Sequence, residues 1–276
     1  MGNLRDTTLC FIGSGVMAEA MINGILRQSL TDPARVIASD PLPARGEELA
    51  DRYGVSGTVD NREAAQASRI VVLSVKPQVL AAVLEELQGT VPPDSLVLSI
   101  VAGASIKVIA EGLRHSAVVR VMPNTPAQIG KGMSVWTATP EVSEDQRGQA
   151  QTILRALGEE IYVNDEDYLD MATALSGTGP AYVFLFMEAL IDAGVHLGFP
   201  RRIAKQLVFQ TLEGSVAFVR QSTVHTAELR NMVTSPGGTS AEALYQLEKG
   251  GFRTVLSRAI WAAYQKSKYL GELSSE

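Results

Sequence analysis

TTLCFIGSGVMAEAMINGILRQ, residues 7–28, decides how the rest of the chain is read. A short apolar run, Leu9 to Ile12, meets Gly13-Ser14-Gly15-Val16-Met17-Ala18. An amphipathic segment follows, with Met17, Met21, Ile22, Ile25 and Leu26 at helical spacing. Strand, glycine turn and helix in that order bring several backbone N–H groups and the positive end of a helix to one point. Such a point suits a pyrophosphate. Gly13 allows the tight turn, Gly15 the close approach of phosphates, and Ala18 the packing of helix on strand, as in G-x-G-x-x-G/A. An ordinary glycine turn in a parallel sheet shares the motif; what favours the dinucleotide reading is that it opens an alternating strand–helix pattern.

That pattern continues. Arg35 to Asp40 reads as a second strand, and Asp40 falls about 20 residues past the glycine motif, where an acid takes the ribose hydroxyls of NAD. Ser39 and Arg45 stand beside it, and a hydroxyl with a guanidinium suits the extra phosphate of NADP. The two signals conflict. Pro43 to Tyr53 reads as a helix, and Asp60-Asn61 caps another. Ile70 to Val75 is a strand apolar throughout, hence buried on both faces, and it ends at Lys76-Pro77, where proline opens the next helix. Ser95 to Val101 and Val118 to Val121 are further strands. The first leads into Ala102-Gly103-Ala104-Ser105 and the second into Met122-Pro123-Asn124-Thr125-Pro126.

Alternation of this kind means an α/β, Rossmann-type doubly wound domain, its parallel strands joined by right-handed crossovers. Ligands in such sheets bind beyond the carboxyl ends of the strands. The residues to examine are therefore Gly13–Met17, Ser39-Asp40, Asn61, Ser74–Pro77, Val101–Gly103 and Met122–Pro126. Met133–Thr137 and Glu160–Val163 read as two more strands, with the capping box Ser143-Glu144-Asp145-Gln146 starting a helix between them. Strand signals stop near Asn164. The expected division is residues 1–164 as the dinucleotide-binding domain and 165–276 as an all-α domain.

The helical half is expected to hold helices near 166–175, 180–198, 201–221, 226–234, 239–249 and 253–270. Residues 181–199 (AYVFLFMEALIDAGVHLGF) are strongly apolar but too interrupted to span a bilayer. Glu188, Asp192 and His196 recur every four residues and form one polar stripe, read as a hydrated groove or a subunit contact ahead of a metal cluster. So apolar a helix, beside two amphipathic ones, suggests a core shared between two subunits. Ser176-Gly177-Thr178-Gly179-Pro180 and Ser235-Pro236-Gly237-Gly238-Thr239-Ser240 each place hydroxyls and glycines at a helix N-terminus, where an anion is held. Two such loops beside a dinucleotide site point to a carboxylate pocket.

Composition narrows the function classes. Hydrophobic residues make up 46% and charged residues 20%, which is globular and not disordered. A net charge of -6 argues against nucleic acid or an anionic membrane as partner. Cys10 is the only cysteine, inside the first strand, so no intrachain disulfide or thiolate metal site forms. The three histidines (His115, His196, His225) are scattered, and no metal is expected. MGNLRDTT has no apolar signal core, so a cytoplasmic protein is expected.

At the level of motifs the chain resembles the pyrroline-5-carboxylate reductases over nearly its full length. FIGSGVMA (11–18), SVKPQ (74–78), SIVAG (99–103), MPNTPA (122–127), LSGTGPAY (175–182) and ELRNMVTSPGGTSAEAL (228–244) carry the resemblance. It implies a dinucleotide domain and an all-helical C-terminal domain that interlocks with a second copy. It implies NADP(H) ahead of NAD(H), and a cyclic imine carboxylate reduced at its C=N bond to L-proline. Ile12, Gly13, Ser14, Gly15, Val16 and Met17 would hold the pyrophosphate. Asn61, Ser74, Val75, Lys76 and Pro77 would lie on the ribose and nicotinamide side, with Ala102, Met122, Pro123 and Asn124 bordering the nicotinamide. Ser235, Gly237, Gly238, Thr239 and Ser240 would hold the substrate carboxylate, and Ser176, Gly177, Thr178 and Gly179 would close the pocket. Glu166 matches an acid near the site. Thr239 or Ser240, through water, is a candidate proton relay. Thr178 replaces the usual serine and Ser240 the usual threonine; both keep the hydroxyl.

Other readings fit these residues less fully or differ from this one only slightly. A β-hydroxyacid dehydrogenase would need Lys and Asn where Val183 and Met187 stand. A non-catalytic dinucleotide sensor would not need the carboxylate pocket. A six-membered imine differs from the five-membered one by a methylene, worth only ~1–3 kcal/mol of discrimination.

Overall fold

A computed structural model describes residues 2–273. In chain order the first compact unit contains β1 (Leu9–Ile12), α1 (Val16–Arg27), β2 (Val36–Ser39), α2 (Pro43–Tyr53), β3 (Ser56–Thr58), α3 (Asn61–Gln66), β4 (Ile70–Leu73) and α4 (Pro77–Leu87). It continues with β5 (Leu96–Ser99), α5 (Ile106–Leu113), β6 (Val118–Met122), β7 (Gly132–Ala138), α6 (Glu144–Arg155), β8 (Gly158–Tyr162) and α7 (Asp167–Ala172), then a π-helical turn at Thr173–Gly177. The helices α8 (Gly179–His196), α9 (Arg201–Gln221), α10 (Thr226–Met232), α11 (Thr239–Lys249) and α12 (Phe252–Leu273) follow.

The strands form one sheet in the order β3-β2-β1-β4-β5-β6-β7-β8. Its first six positions are the 3-2-1-4-5-6 order of dinucleotide-binding domains, with the switch point between β1 and β4. Every residue of β1 and β4 is buried, as unbroken apolar runs require. Successive side chains go to opposite faces. Leu9 and Phe11 join α1 and α6 in one core, while Cys10 and Ile12 join α3, α4 and α5 in the other.

Two features differ from the sequence expectation. β3, Ser56-Gly57-Thr58, has no apolar signal and was not anticipated. It pairs with β2 because Gly46 of α2 lets its backbone approach; a Cβ on Gly57 would come within 2.8 Å of the Gly46 Cα. β7 is antiparallel to β6, so the sheet is not wholly parallel. Residues 123–131 hold only a 3-10 turn (Thr125–Ile129), too short for the crossover a parallel neighbour demands. The compact units are residues 1–180 with 263–276, and residues 181–262. Leu169 and Ala172 of α7 pack with Val135 of β7, which ties α7 to the sheet.

In the second unit the α8 face is apolar and open, with Val183, Phe184, Leu185 and Phe186 all exposed. The helical run 167–196 contains an 18-residue window that is apolar enough to cross a membrane by length and composition, with a mean hydropathy of 1.4. In the polar stripe of α8, Asp192 pairs at the surface with Arg201, 2.7 Å away. No group of three or more acidic, His or Cys side chains able to hold a metal occurs among the described residues.

Candidate functional site

The glycine turn is held from three strands. Gly13 adopts φ +88° and its N–H donates to the Ser39 carbonyl at 2.9 Å. Ser14 is buried; its Oγ donates to the same carbonyl and its N–H to Asp40 Oδ2 at 3.0 Å. Ser74, at the end of β4, donates its Oγ to the Gly13 carbonyl at 2.7 Å. The turn is thus rigid before any ligand arrives. Gly15 is the N-cap of α1, no side chain caps that helix, and a Cβ at Gly15 would meet nothing within 4 Å. An uncapped helix N-terminus with room directly before it fits a pyrophosphate.

At the carboxyl end of β2 stand Ser39 and Asp40, with Arg45 and Asn61 nearby. Ser39 Oγ donates to Asn61 Oδ1 at 2.7 Å, and Asn61 Nδ2 to Glu86 Oε2 at 2.8 Å. Asp40 also accepts the Leu42 N–H through Oδ1. Arg45, expected as a free guanidinium for a phosphate, is engaged by the protein itself. Its Nε donates to the Ser14 carbonyl at 2.7 Å, Nη2 to Glu19 at 2.5 Å and Nη1 to Glu48 at 2.6 Å. Arg52 pairs with both acids as well, and the Tyr53 hydroxyl donates to Glu19. Partial burial tends to raise the Glu19 pKa, but the bonds from Arg45 and Tyr53 and the charges of Arg45 and Arg52 outweigh it and hold it below the ordinary value. Arg45 therefore carries positive charge to the glycine loop, with two carboxylates behind it. Beside this end, a cleft of about 320 Å³ opens between α2 and β3, lined by Pro43, Gly46, Ala50, Gly57 and Thr58 among others.

Beyond the carboxyl ends of β5 and β6 the loops are knitted together. Gly103 adopts φ +75°, and its side faces the backbone of α12, where a Cβ would lie 3.3 Å from the Gly271 nitrogen. Ser105 caps α5 through the Val108 N–H. Glu166 Oε1 accepts the Ile106 N–H at 2.8 Å and Arg120 Nη1 at 2.6 Å. Asn124, read as a cofactor neighbour, has both amide ends in use: Oδ1 accepts the Met133 N–H and Nδ2 donates to the Ser176 carbonyl at 3.0 Å. Met122 reaches Gly177, where a Cβ would lie 2.6 Å from its Cε. The turn at 173–177 is closed by Thr178, whose N–H and Oγ1 both donate to the Thr173 carbonyl. Lys76 is the exposed N-cap of α4, with Pro77 at the first position.

The structure therefore brings Gly13–Met17, Ser39, Asp40, Arg45, Asn61 and Ser74 together at the switch point, and joins Met122–Asn124 to Ser176–Gly177. The Ser235–Ser240 loop belongs to the second unit. There Gly237 adopts φ +70°, the Gly238 N–H donates to the Ser235 carbonyl, and Gly238 is the N-cap of α11 with no side-chain cap. A Cβ on Gly238 would fall 2.5 Å from Ser235 Oγ. This is a second uncapped helix start, framed by hydroxyls.

Sequence reading missed Glu19, Glu86, Arg120 and Asp170. Arg120 had a legible signal, a lone charge within the apolar strand VVRV. The other three are ordinary helical acids whose partners lie 25 or more residues away in sequence.

Comparison with known proteins agrees with this geometry. The family model described as pyrroline-5-carboxylate reductase dimerisation matches residues 166–270, and that described as NADP oxidoreductase, coenzyme F420-dependent, matches residues 8–103. The chain is 42% identical over 264 residues to the pyrroline-5-carboxylate reductase of Synechocystis sp., covering 96% of this chain and 98% of that one. It is 37% identical to the enzyme of the same name from Pisum sativum, covering 95% and 96%. Among solved structures, the Plasmodium falciparum pyrroline carboxylate reductase with NADP bound superposes with a TM-score of 0.89 at 33% identity, covering 97% of this chain and 99% of that one.

Proposed function

We infer the reaction from one premise, that the chain belongs to the pyrroline-5-carboxylate reductase family. It is an NAD(P)H-dependent oxidoreductase that reduces the C=N bond of 1-pyrroline-5-carboxylate to L-proline. The observation that carries the reading is the open, uncapped helix start at Gly15 in a switch-point crevice whose far loops are braced to the Ser176–Gly177 turn. When bound, the reduced nicotinamide supplies a hydride to the imine carbon.

The chain's own residues bind and orient. Ile12 to Ser14 hold the turn in place, and Gly15 to Met17 present N–H groups and the α1 dipole to the pyrophosphate. Ser39, Asp40 and Asn61 face the ribose of NADP(H), and Arg45 stands beside them, its guanidinium held by the Ser14 carbonyl, Glu19 and Glu48. Ser74 to Pro77, Ala102 and Met122 to Asn124 shape the nicotinamide side. Ser235, Gly237, Gly238, Thr239 and Ser240 offer N–H groups and hydroxyls to the substrate carboxylate, and Ser176 to Gly179 are a second loop of the same kind. A protonated imine is already electrophilic, so alignment is the main task, and positioning alone supplies roughly 7–11 kcal/mol of the barrier. A Thr239 or Ser240 hydroxyl passes the proton through water.

The active form is a homodimer at least. The exposed apolar face of α8 lies within the stretch matched by the dimerisation model, and a second copy would bury it. A cytoplasmic setting belongs to the same proposal, since the reaction consumes reduced dinucleotide.

The test is oxidation of NADPH and NADH by purified protein with pyrroline-5-carboxylate, for wild type and Gly238→Ala. Turnover that collapses in the variant supports both reaction and carboxylate loop. Dinucleotide binding without turnover refutes the reductase. Turnover untouched by Gly238→Ala keeps the reaction and removes that loop from the substrate site.

A further inference from the structure

A charged side chain inside a sheet needs a reason. Arg120 sits in β6 between apolar neighbours, its side chain 7% exposed, in register with Ser99 on β5 and Thr137 on β7. Taking a guanidinium out of water is costly unless it is paired and hydrogen-bonded. Its partners both come from the α7 region. Glu166 Oε1 lies 2.6 Å from Nη1, and Asp170 Oδ1 lies 3.8 Å from Nη2. Asp170 in turn accepts the Ser267 hydroxyl of α12 at 2.7 Å.

The same Glu166 oxygen accepts the Ile106 N–H at 2.8 Å. Ile106 is the first residue of α5, so the carboxylate stands at that helix's positive end. The loop Ala102–Ser105 leads directly into it. From the other side Gly103 lies against the backbone of Leu270 and Gly271: a Cβ on Gly103 would lie 3.3 Å from the Gly271 nitrogen, and one on Gly271 3.2 Å from the Gly103 carbonyl oxygen. The loop is thus gripped between α12 and a carboxylate that is itself set by a buried arginine.

We propose that Glu166 is a positioning residue: fixed by Arg120, it anchors the start of α5 and so holds the Ala102–Ser105 loop where the nicotinamide ring packs, and it does not donate the proton to the imine. Oε1 accepts from two donors at once, one on the sheet and one at the start of α5, which fixes the side chain between them. The role rests on the reductase reading above, because the loop matters to catalysis only if the nicotinamide lies against it.

Glu166→Gln and Glu166→Ala separate the two roles. An amide oxygen still accepts from Ile106 and Arg120, whereas alanine leaves both donors bare. For Glu166→Gln, kcat and the NADPH KM should stay within about fivefold of wild type, with the pH–rate profile unchanged in shape. For Glu166→Ala, the NADPH KM should rise about tenfold or more, matched by weaker NADPH binding in a fluorescence titration, again with no change in profile shape. Unfolding curves of each variant identify loss of fold separately, and the glutamine variant carries the test if alanine unfolds. The proposal is overturned if Glu166→Gln loses as much kcat as Glu166→Ala, with one limb of the pH profile gone and NADPH binding intact. It is equally overturned if Glu166→Ala binds and turns over like wild type. Should wild type fail to reduce the imine, the reductase reading falls on that control, while the NADPH titrations still report whether Glu166 sets the loop.

Discussion

Replacing Gly15 by alanine is expected to leave the fold standing and to remove most of the dinucleotide affinity. Gly15 has φ -71° and ψ -172°, ordinary extended backbone for any residue, and its Cβ would meet nothing within 4 Å. Alanine is a poorer N-cap than glycine, so the stability loss should stay under about 1 kcal/mol. The new methyl would stand where the phosphates approach the first turn of α1. Displacing them from one charge-assisted N–H bond costs about 1.5–3 kcal/mol, roughly a 10- to 150-fold rise in Kd. Gly13→Ala is the contrast. At φ +88° a side chain costs about 1–2 kcal/mol in strain alone. Its Cβ would also lie 2.8 Å from Val75 Cγ1, 3.0 Å from the Val75 nitrogen and 3.1 Å from the Ser74 carbonyl carbon. Backbone at the end of β4 must then move, and a total loss of roughly 2–4 kcal/mol is expected. Urea unfolding reads the stability and NADPH fluorescence the affinity. Wild-type NADPH affinity in Gly15→Ala would place the phosphates elsewhere. A stability loss as large as that of Gly13→Ala would mean the space before α1 is not open.

Asn124→Ala should lose the bracket between Met133 and Ser176, lowering stability by about 1–3 kcal/mol and raising the imine KM; urea unfolding and initial rates check both. Burial pushes the Cys10 thiol up to about 12, so it should be inert to a thiol reagent at pH 8 until the chain is unfolded. Burial also holds the His115 imidazole below its ordinary value of 6.5, against the opposing bond to the Ser95 carbonyl. As pH falls below 6.5 the unfolded chain takes up a proton first, so stability declines from there down to the folded value. His115→Gln should flatten that part of the stability–pH curve, measured by unfolding at several pH values.

The main lines of the fold were legible because they rest on local requirements. Val71 to Leu73 are apolar at every position because both faces of the sheet are covered, and Gly13 is glycine because its turn needs positive φ. The capping box at Ser143 and Gln146 formed as expected. β3 escaped notice because Ser56-Gly57-Thr58 pairs through a neighbour's missing side chain and not through its own apolarity. The direction of β7 followed from the shortness of residues 123–131, a property of the connection and not of the strand.

For the candidate site, residue types and loop positions could be read from sequence, but not the partners of each side chain. Arg45 looked like a free cation beside Asp40; only folding brings Glu19 and Glu48 onto it. Asn124, read as a neighbour of the cofactor, also braces β7 to the Ser176 turn. Arg120, Glu166 and Asp170 are spread over 50 residues of sequence, and only the return of α7 and α12 to the sheet makes them one network. The sequence by itself determined which segments are strands, which glycines must bend and where an anion can sit, because periodicity, φ and helix dipoles are properties of neighbouring residues. Tertiary structure decided which charges meet and which loops are braced, because Coulomb and hydrogen-bond partners are chosen by proximity in space, which the path of the whole chain sets.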